Sequence, residues 1–226
     1  MTGGISCIVP AFNEGARIRN VLQVLKTHPL IGEIIVVDDG STDDTRAQAA
    51  SVDGITLIAH RANLGKSKAV CSGIRASSSE YLLFLDADLI GLDAKNLTDL
   101  IEPVTRGCAD VSISLRGNAM TPFKWIGLDY VSGERVLRRD LLADHLDRIE
   151  KLPNFGLEVY LNKLFIQNNS RIRIVRWDNV VSPLKSRKHG MLKGVAGEIR
   201  MLSNIIETIA LAGTPQQISA MIRARV

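Results

Sequence analysis

The sequence predicts an α/β protein with a mostly parallel central sheet that is flanked by helices. In the first half, short continuous apolar runs alternate with segments of helical periodicity. Such runs are typical of parallel strands that are buried on both faces. Each of the first strands leads into a polar cluster, and ligands of such sheets bind at the carboxyl ends of the strands. The length of 226 residues and the 46% hydrophobic content fit one globular domain, with at most a small appendage.

Five strands and four helices are predicted in the first half. The strands lie at residues 5–9, 34–37, 55–58, 81–85 and 111–115. The first helix has apolar residues at the spacing i, i+3, i+4 and i+7, namely Ile18, Val21, Leu22 and Leu25. The second helix is expected to begin near Asp43, with Ser41 or Thr42 as its cap. The other two helices are expected at residues 66–76 and near 96–106.

The second half of the chain is less regular. Helices are predicted near residues 141–150 and over 155–167, and an edge strand is predicted around 172–177. A basic loop spans residues 185–193 and is followed by an apolar stripe of heptad spacing at 195–209. Thr214, followed by Pro215, starts a last helix. We favour core packing or a homodimer seam for the stripe, because its helix body carries too few basic residues for a helix that lies on a membrane.

Composition argues against several classes of protein. No apolar run reaches the roughly 18–20 residues that span a bilayer, and the N-terminus does not resemble a signal peptide. Three cysteines, Cys7, Cys71 and Cys108, lie far apart, which favours free thiols in a reducing cytoplasm. Aromatic residues are only 4% and form no stacking stripe, which argues against a nucleic-acid partner.

Charge is distributed unevenly. Residues 1–115 carry 10 Lys and Arg against 14 Asp and Glu, a net charge of −4, whereas residues 116–226 carry 18 against 10, a net charge of +8. An acidic half beside a basic half suggests a metal or sugar site next to a phosphate-binding or membrane-facing site. The alternative is a chance distribution of solvated charges.

Four polar clusters follow one another in order along the chain. They are Val9–Glu14, Val37–Asp43, Asn63–Lys66 and Phe84–Asp88. In this order and at this spacing, the clusters resemble those of family 2-type glycosyltransferases of the GT-A (nucleotide-diphospho-sugar transferase) fold, over about residues 5–115. The resemblance implies a GT-A catalytic domain at residues 1–190, with a nucleotide-sugar-binding half at 1–115 and an acceptor half at 116–190. Residues 191–226 would form a C-terminal helical extension.

Asp86 and Asp88 are one residue apart at a predicted strand end. Two such carboxylates can hold a hard divalent ion through oxygen atoms, and that ion would neutralise the diphosphate of a nucleotide-sugar donor. The resemblance implies Mg²⁺ or Mn²⁺ as the cofactor, with Asp88 as the catalytic metal ligand and Asp86 at the ribose or at a metal-bound water. We also predict His189 as a metal ligand. The alternative for His189 is a solvated histidine in a basic loop.

The resemblance also implies a nucleotide-sugar site. Asp39 would accept a hydrogen bond from the nucleobase, and Lys66 would neutralise donor phosphate or close over the base. Gly65 would let the backbone approach closely. The remaining contacts come from the backbone of Pro10 and Ala11 and from Glu14 near the ribose or base.

Gly133, Glu134 and Arg135 lie in a segment that looks like the acceptor region of soluble transferases that make glucosyl-phosphoglycerate and, more loosely, of polyprenyl-phosphate transferases. Arg135 suits phosphate recognition because a guanidinium forks onto two oxygens. The alternative is a helix cap with exposed arginines. Glu158 would take the proton of an acceptor hydroxyl, or orient an acceptor phosphate. Its alternative is an exposed helix acid.

The predicted function is transfer of one hexose from a UDP- or GDP-sugar to a small phosphorylated acceptor or a polyprenyl phosphate. The expected location is the cytoplasm, including the inner face of the membrane, and the expected assembly is a homodimer through the C-terminal helices. One alternative is a sugar nucleotidyltransferase, although Pro10–Glu14 replaces the Gly-rich basic loop that such enzymes carry after the first strand. The other is a non-catalytic nucleotide-binding protein that oligomerises, although its acidic pair is intact.

Overall fold

The computed structural model describes residues 4–153, 156–183 and 214–226. Its strands are β1 (Ile5–Ala11), β2 (Ile31–Asp38), β3 (Thr56–Ala59), β4 (Tyr81–Phe84), β5 (Val111–Arg116), β6 (Arg135–Arg138) and β7 (Ile172–Trp177). Its helices are α1 (Gly15–Lys26), α2 (Thr45–Ala50), α3 (Lys66–Ala76), α4 (Ala94–Thr105), α5 (Thr121–Ile126), α6 (Leu146–Ile149), α7 (Gly156–Gln167) and α8 (Thr214–Arg223). The predicted basic loop, with His189, and the apolar stripe at 195–209 lie outside these described residues.

The seven strands form one sheet in the order β3-β2-β1-β4-β6-β5-β7. β1 pairs in parallel with β2 and β4, and β5 pairs in parallel with β7. Only β6, among the described strands, runs against its neighbours β4 and β5. The predicted α/β class with a mostly parallel sheet is therefore confirmed. The predicted edge position of the strand at 172–177 is confirmed as well, because β7 closes one side of the sheet.

Side chains alternate between two hydrophobic clusters on the two faces of the sheet. In β4 and just after it, Leu83 and Leu85 pack in one cluster, while Leu82 and Phe84 pack in the other. The first cluster includes the apolar faces of α1 and α4, and the second includes those of α3 and α7. Because both faces are covered, every residue of these strands tends to be apolar, which explains the continuous runs in the sequence.

The start of α2 differs from the prediction. The helix begins at Thr45, and Ser41 and Thr42 do not cap it. Ser41 Oγ accepts instead from the backbone N–H of Asn13 at 3.0 Å, and the Thr42 N–H donates to Asn13 Oδ1 at 2.9 Å. Asp43 accepts from the Gly15 N–H at 3.1 Å. These polar residues therefore join the turn after β2 to the turn after β1.

Strand β6 was not expected from the sequence. The sequence predicts a helix near residues 141–150, whereas the structure has β6, a short 3-10 helix at Arg139–Leu142 and the four-residue helix α6. Only Val136 and Leu137 are apolar in β6, and arginines flank them. Such a short run carries little local signal, and the insertion of β6 between β4 and β5 is decided by tertiary pairing.

The cysteines agree with the expectation of free thiols. All three cysteines are free thiols; Cys7 and Cys71 are buried, and Cys108 is exposed. Burial raises the pKa of the Cys71 thiol to about 11. Within the described parts of the chain, no helix is both long and apolar enough to cross a bilayer.

Candidate active site

The site is built at the carboxyl ends of neighbouring strands. Leu85, Ala87 and Leu89, which follow β4, are buried in the hydrophobic core, whereas Asp86 and Asp88 between them are half-buried. Asp39 directly follows β2, on the same edge of the sheet. The strand-end rule that predicted this grouping is therefore met by the fold.

Lys66 connects two carboxylates that come from different elements. Its Nζ lies 2.8 Å from Asp86 Oδ1, after β4, and 2.9 Å from Glu158 Oε1, in the first turn of α7. Burial alone would lower the pKa of Lys66, but the two carboxylates outweigh burial and raise it. Burial opposes ionisation of Asp86, but Lys66 and Arg116 hold the pKa of its carboxyl below the usual value. Lys66 and Asp86 are thus charged together at neutral pH.

Glu158 is buried, with an exposed fraction of 2%. Its Oε1 meets Lys66, whereas its Oε2 is buried and has no hydrogen-bond partner among the described residues. A buried carboxylate oxygen without a partner is costly unless a ligand satisfies it. The alternative of an exposed helix acid is therefore wrong, and the contact of Glu158 with an acceptor stays a prediction.

Arg116, at the end of β5, faces three carboxylates. Its guanidinium nitrogens lie 3.4 Å from Glu134, 3.5 Å from Asp129 and 3.9 Å from Asp86. Burial raises the pKa of both Asp129 and Glu134, because one guanidinium does not fully compensate them. This residue was not selected in the sequence analysis, although it carries the same signal as Asp86, a charge at the end of an apolar strand.

Five carboxylates lie beside three cations among the described site residues. The cations are Lys66, Arg116 and Arg135, and the carboxylates are Asp86, Asp88, Asp129, Glu134 and Glu158. Burial favours the protonated forms of Asp129 and Glu134, which reduces the repulsion among these carboxylates.

Gly133 lies against the Lys66–Asp86 pair. A Cβ atom at this position would come within 2.7 Å of both Lys66 Nζ and Asp86 Oδ1. Glu134, the next residue, is fully buried and accepts hydrogen bonds from Ser114 at 2.7 Å and Ser132 at 2.8 Å. In the predicted acceptor segment, Gly133 is therefore the residue that lies against the Lys66–Asp86 pair. The side chain of Glu134 is buried beneath the surface.

Arg135 does not face an acceptor in this structure. Its side chain is fully buried and donates to Asn162 Oδ1 at 2.6 Å, to the Ser132 carbonyl at 2.8 Å and to the Tyr130 carbonyl at 3.2 Å. This burial disagrees with both interpretations of Arg135 from the sequence, a direct contact with phosphate and an exposed arginine at a helix cap. The guanidinium is occupied in holding the 130–135 segment and α7 together.

The neighbouring arginines are also remote from the site. Arg138 pairs with Tyr81 at the start of β4, whereas Asp86 follows the end of that strand. Arg138 bonds to Asp140, at 2.8 Å, and Arg139 bonds to the carbonyl of Ser77. The arginines described in and after the predicted acceptor segment therefore donate their hydrogen bonds to groups other than the side chains of Lys66, Asp86 and Glu158.

Asp39 organises the turn before α3. Its Oδ1 accepts from the Leu64 N–H at 3.0 Å and lies 2.7 Å from His60 Nδ1, and its Oδ2 accepts from the Gly65 N–H at 2.8 Å. Gly65 has a φ of +96°, which favours glycine. A Cβ there would meet no atom of the described residues within 4 Å, so the backbone angle, and not a close approach among these residues, explains this glycine.

The other predicted nucleotide contacts lie on the same edge. Pro10 and Ala11 are the last residues of β1, and the Ala11 carbonyl accepts from the Asp39 N–H at 2.8 Å. Glu14 precedes α1 and forms an ion pair with Arg17 at 3.2 Å. Their contacts with a nucleotide stay predictions.

Asp88 is held by a residue that the sequence analysis did not select. Ser182 Oγ lies 3.0 Å from both carboxylate oxygens of Asp88. The described residues contain no group of three His, Cys, Asp or Glu side chains placed to hold a metal ion. The fit of a divalent ion rests on the carboxylate oxygens of Asp86 and Asp88, which are donors that hard divalent ions prefer. His189 lies outside the described residues, so its predicted role stays untested.

Comparisons with known proteins agree with this architecture. The model of the family described as "Glycosyl transferase family 2" matches residues 6–155, about two thirds of the chain. The chain therefore belongs to glycosyl transferase family 2. This membership confirms the resemblance inferred from the strand-end clusters.

Two curated relatives illustrate the similarity. Glucosyl-3-phosphoglycerate synthase of Mycolicibacterium smegmatis is 29% identical over 154 residues, which cover 62% of this chain and 49% of the relative. Dodecaprenyl-phosphate galacturonate synthase of Rhizobium johnstonii is 28% identical over 123 residues, which cover 50% of this chain and 36% of the relative. The chain thus matches about half, or less, of the length of these relatives.

Solved structures confirm the GT-A fold. Glucosyl-3-phosphoglycerate synthase of Mycobacterium tuberculosis, with Mn²⁺, UDP and glucosyl-3-phosphoglycerate, has a TM-score of 0.71 and 23% identity over 93% of this chain and 80% of that chain. The same enzyme with Mn²⁺, UDP-glucose and glycerol 3-phosphate has a TM-score of 0.62 and 25% identity over 77% of this chain and 70% of that chain.

Proposed function

We propose that the protein transfers a single hexose from a UDP-sugar to a small phosphorylated acceptor, and that the reaction depends on Mg²⁺ or Mn²⁺. The observation that carries this proposal is the bridge from Asp86 through Lys66 to Glu158, with one buried oxygen of Glu158 left unsatisfied. The bridge joins the predicted donor side to the predicted acceptor side. Family membership supports the reaction class.

Asp88, with Asp86 beside it, would hold the divalent ion. That ion supplies neutralisation of the diphosphate that leaves the sugar. The Mn²⁺ complex of the Mycobacterium tuberculosis enzyme that matches at 25% identity supports a divalent ion here. Lys66 adds a second cation at the same edge of the sheet, within 2.8 Å of Asp86. UDP is favoured over GDP because that relative was solved with UDP-glucose.

Glu158 would position the acceptor. For an acceptor hydroxyl, its unsatisfied Oε2 accepts the hydroxyl hydrogen and lies ready to take the proton. For an acceptor that attacks through a phosphate oxygen, no base is required and Glu158 orients the group. Glycine at position 133 lets the backbone lie close to Lys66 and Asp86, because a side chain at that position would collide with them.

The names of the relatives support the choice of acceptor. Glucosyl-3-phosphoglycerate synthases are among the matches that cover most of this chain, so phosphoglycerate is the first acceptor to test. Polyprenyl phosphate is the second, because a dodecaprenyl-phosphate enzyme also matches. Since Arg135 is buried, we expect the acceptor phosphate to be bound by cations other than this one.

The test is a donor and acceptor panel. The protein is incubated with UDP-glucose, other UDP-hexoses and GDP-hexoses, with Mn²⁺ or with EDTA, and with 3-phosphoglycerate or a short polyprenyl phosphate. We expect acceptor-dependent UDP release with Mn²⁺, and loss of that release in Asp88→Asn. Pyrophosphate release from a nucleoside triphosphate would instead favour a nucleotidyltransferase, and folded protein that turns over no donor would favour a non-catalytic nucleotide-binding protein.

A further inference from the structure

A loop that is distant in sequence lies directly against Asp88. This segment, residues 178–182, follows β7 and is called here the 178–182 loop. Its last residue, Ser182, is 94 positions from Asp88 in the chain, yet its hydroxyl lies 3.0 Å from each oxygen of that carboxylate. A hydroxyl shared between both oxygens restricts rotation of the carboxylate about its last torsion angle.

Ser182 is itself held on both sides of its backbone. Its N–H donates to Asn118 Oδ1 at 3.2 Å, and its carbonyl accepts from Asn118 Nδ2 at 2.6 Å. The preceding residue, Val181, forms an antiparallel bridge with Ile90, with N···O distances of 2.9 and 3.0 Å. The serine hydroxyl therefore sits on backbone that is fixed from two directions.

Two glycines allow the 178–182 loop to lie close to the segments that follow β4 and β5. A Cβ at Gly91 would come within 2.2 Å of the Asn179 carbonyl oxygen, and a Cβ at Gly117 would come within 2.3 Å of the Asp178 carbonyl oxygen. The Gly117 N–H also donates to the carbonyls of Trp177 and Val180, at 2.9 and 3.0 Å. The loop therefore packs between the residues that follow β4 and those that follow β5.

We propose that the 178–182 loop is a positioning element for the metal-binding carboxylate, and that Ser182 orients Asp88 for a divalent cation. This inference rests on the proposed function, because it assumes that Asp88 binds the metal. A hydrogen bond to a ligating carboxylate fixes its direction before the ion arrives, and loss of such a partner typically weakens metal binding about 10–100-fold. Ser182 is a positioning residue and does not itself need to contact substrate.

The experiment measures Mn²⁺ uptake directly, by the loss of the free Mn²⁺ signal in electron paramagnetic resonance. Protein is titrated at a fixed UDP concentration, and a protein-free sample with the same UDP gives the baseline. We expect Ser182→Ala to weaken protein-dependent uptake about 10-fold. Ser182→Thr keeps a hydroxyl and is expected to stay close to the wild-type protein.

Two further variants separate this role from a general loss of structure. Ser51→Ala removes an exposed hydroxyl that bonds to the Gln48 carbonyl at 2.7 Å, and it should leave Mn²⁺ uptake unchanged. Asn118→Ala removes the two bonds that hold Ser182 and should weaken uptake in the same direction as Ser182→Ala. Thermal melts establish that each variant is folded, and Asn118→Ala tests the same inference if Ser182→Ala does not fold.

The outcomes distinguish this inference from the proposed function. If the wild-type protein takes up no Mn²⁺ beyond the UDP baseline, the proposed metal dependence is wrong and this inference is wrong with it. If the wild-type protein takes up Mn²⁺ and Ser182→Ala does so equally well, only the positioning role is overturned. Equal weakening in Ser182→Thr and Ser182→Ala also overturns it, because the hydroxyl would then not be the active group.

Discussion

Asp86 and Glu158 share one ammonium group, that of Lys66, at distances of 2.8 and 2.9 Å. Asp86 belongs to the strand end that is predicted to face the donor, and Glu158 belongs to the helix that is predicted to face the acceptor. Movement of Lys66 toward a donor phosphate would leave Glu158 without this cation. The two halves of the site are therefore coupled electrostatically through a single side chain.

Gly133→Ala tests how tightly this pair is packed. The added methyl group would lie 2.7 Å from Lys66 Nζ and Asp86 Oδ1, so the pair must shift. Since these atoms are the ends of flexible side chains, we expect a small loss of stability, below about 1 kcal/mol. Because misplacement by about 1 Å can cost 100-fold, we expect roughly 100-fold lower sugar transfer. Transfer rates and denaturant unfolding measure the two effects.

Gly54→Ala is the matched control for this substitution. Gly54 has a φ of +81° and open space around its Cβ position. Alanine there is strained by about 1–2 kcal/mol, but the change touches no site residue. We expect the opposite pattern, lower stability and unchanged transfer. An inactive Gly54→Ala, or a fully active Gly133→Ala, would contradict the assignment of Gly133 to the site.

Arg135→Ala tests whether this arginine supports structure or binds acceptor. Removal of the buried guanidinium takes a hydrogen-bond donor away from Asn162 Oδ1 and from the carbonyls of Ser132, Tyr130 and Glu158. We expect a loss of about 3–5 kcal/mol in the free energy of unfolding, measured with denaturant. Arg138→Ala, at an exposed position, should change it by no more than about 0.5 kcal/mol. A stable Arg135→Ala protein with only a raised KM for acceptor would restore the direct-contact prediction.

Asp43→Ala tests the link between the first two turns. Burial opposes ionisation of Asp43, but hydrogen bonds from Thr45 and Gly15 hold the pKa of its carboxyl below the ordinary 3.8. A carboxyl whose pKa is lower in the folded state stabilises the protein above its unfolded pKa, and this contribution is lost as the pH falls through the folded pKa. We expect the wild-type protein to be more stable than the variant at pH 7, and the difference to shrink below pH 3.8. Urea unfolding across this range measures it, and a difference independent of pH would contradict the account.

The first half of the fold was predictable because its signals are local. Continuous apolar runs mark β1, β2 and β4, and the spacing of Ile18 and Leu25 marks the buried face of α1. The rule that ligands bind at strand ends then placed Asp39, Asp86 and Asp88 at one edge without any structure. These inferences needed only periodicity and the direction of parallel strands.

The second half was less predictable because its key contacts are tertiary. Arg135 looks like a phosphate-binding arginine in the sequence, and only the fold shows that it is buried against α7. Ser182 contacts Asp88 across 94 positions, a separation that no local pattern encodes. Arg116 is different, because it ends an apolar strand and the strand-end rule could have identified it.

Calorimetric titration of UDP tests the central claim, that Asp88 and a divalent cation bind the donor diphosphate. The titration is run with Mn²⁺ and with EDTA, on the wild-type protein and on Asp88→Asn, which keeps an oxygen that can accept from Ser182. We predict that UDP binds the wild-type protein with Mn²⁺, and that either EDTA or the substitution abolishes binding while the melting temperature is unchanged. Equal UDP binding with and without the metal, or by the variant, would contradict this account of the site.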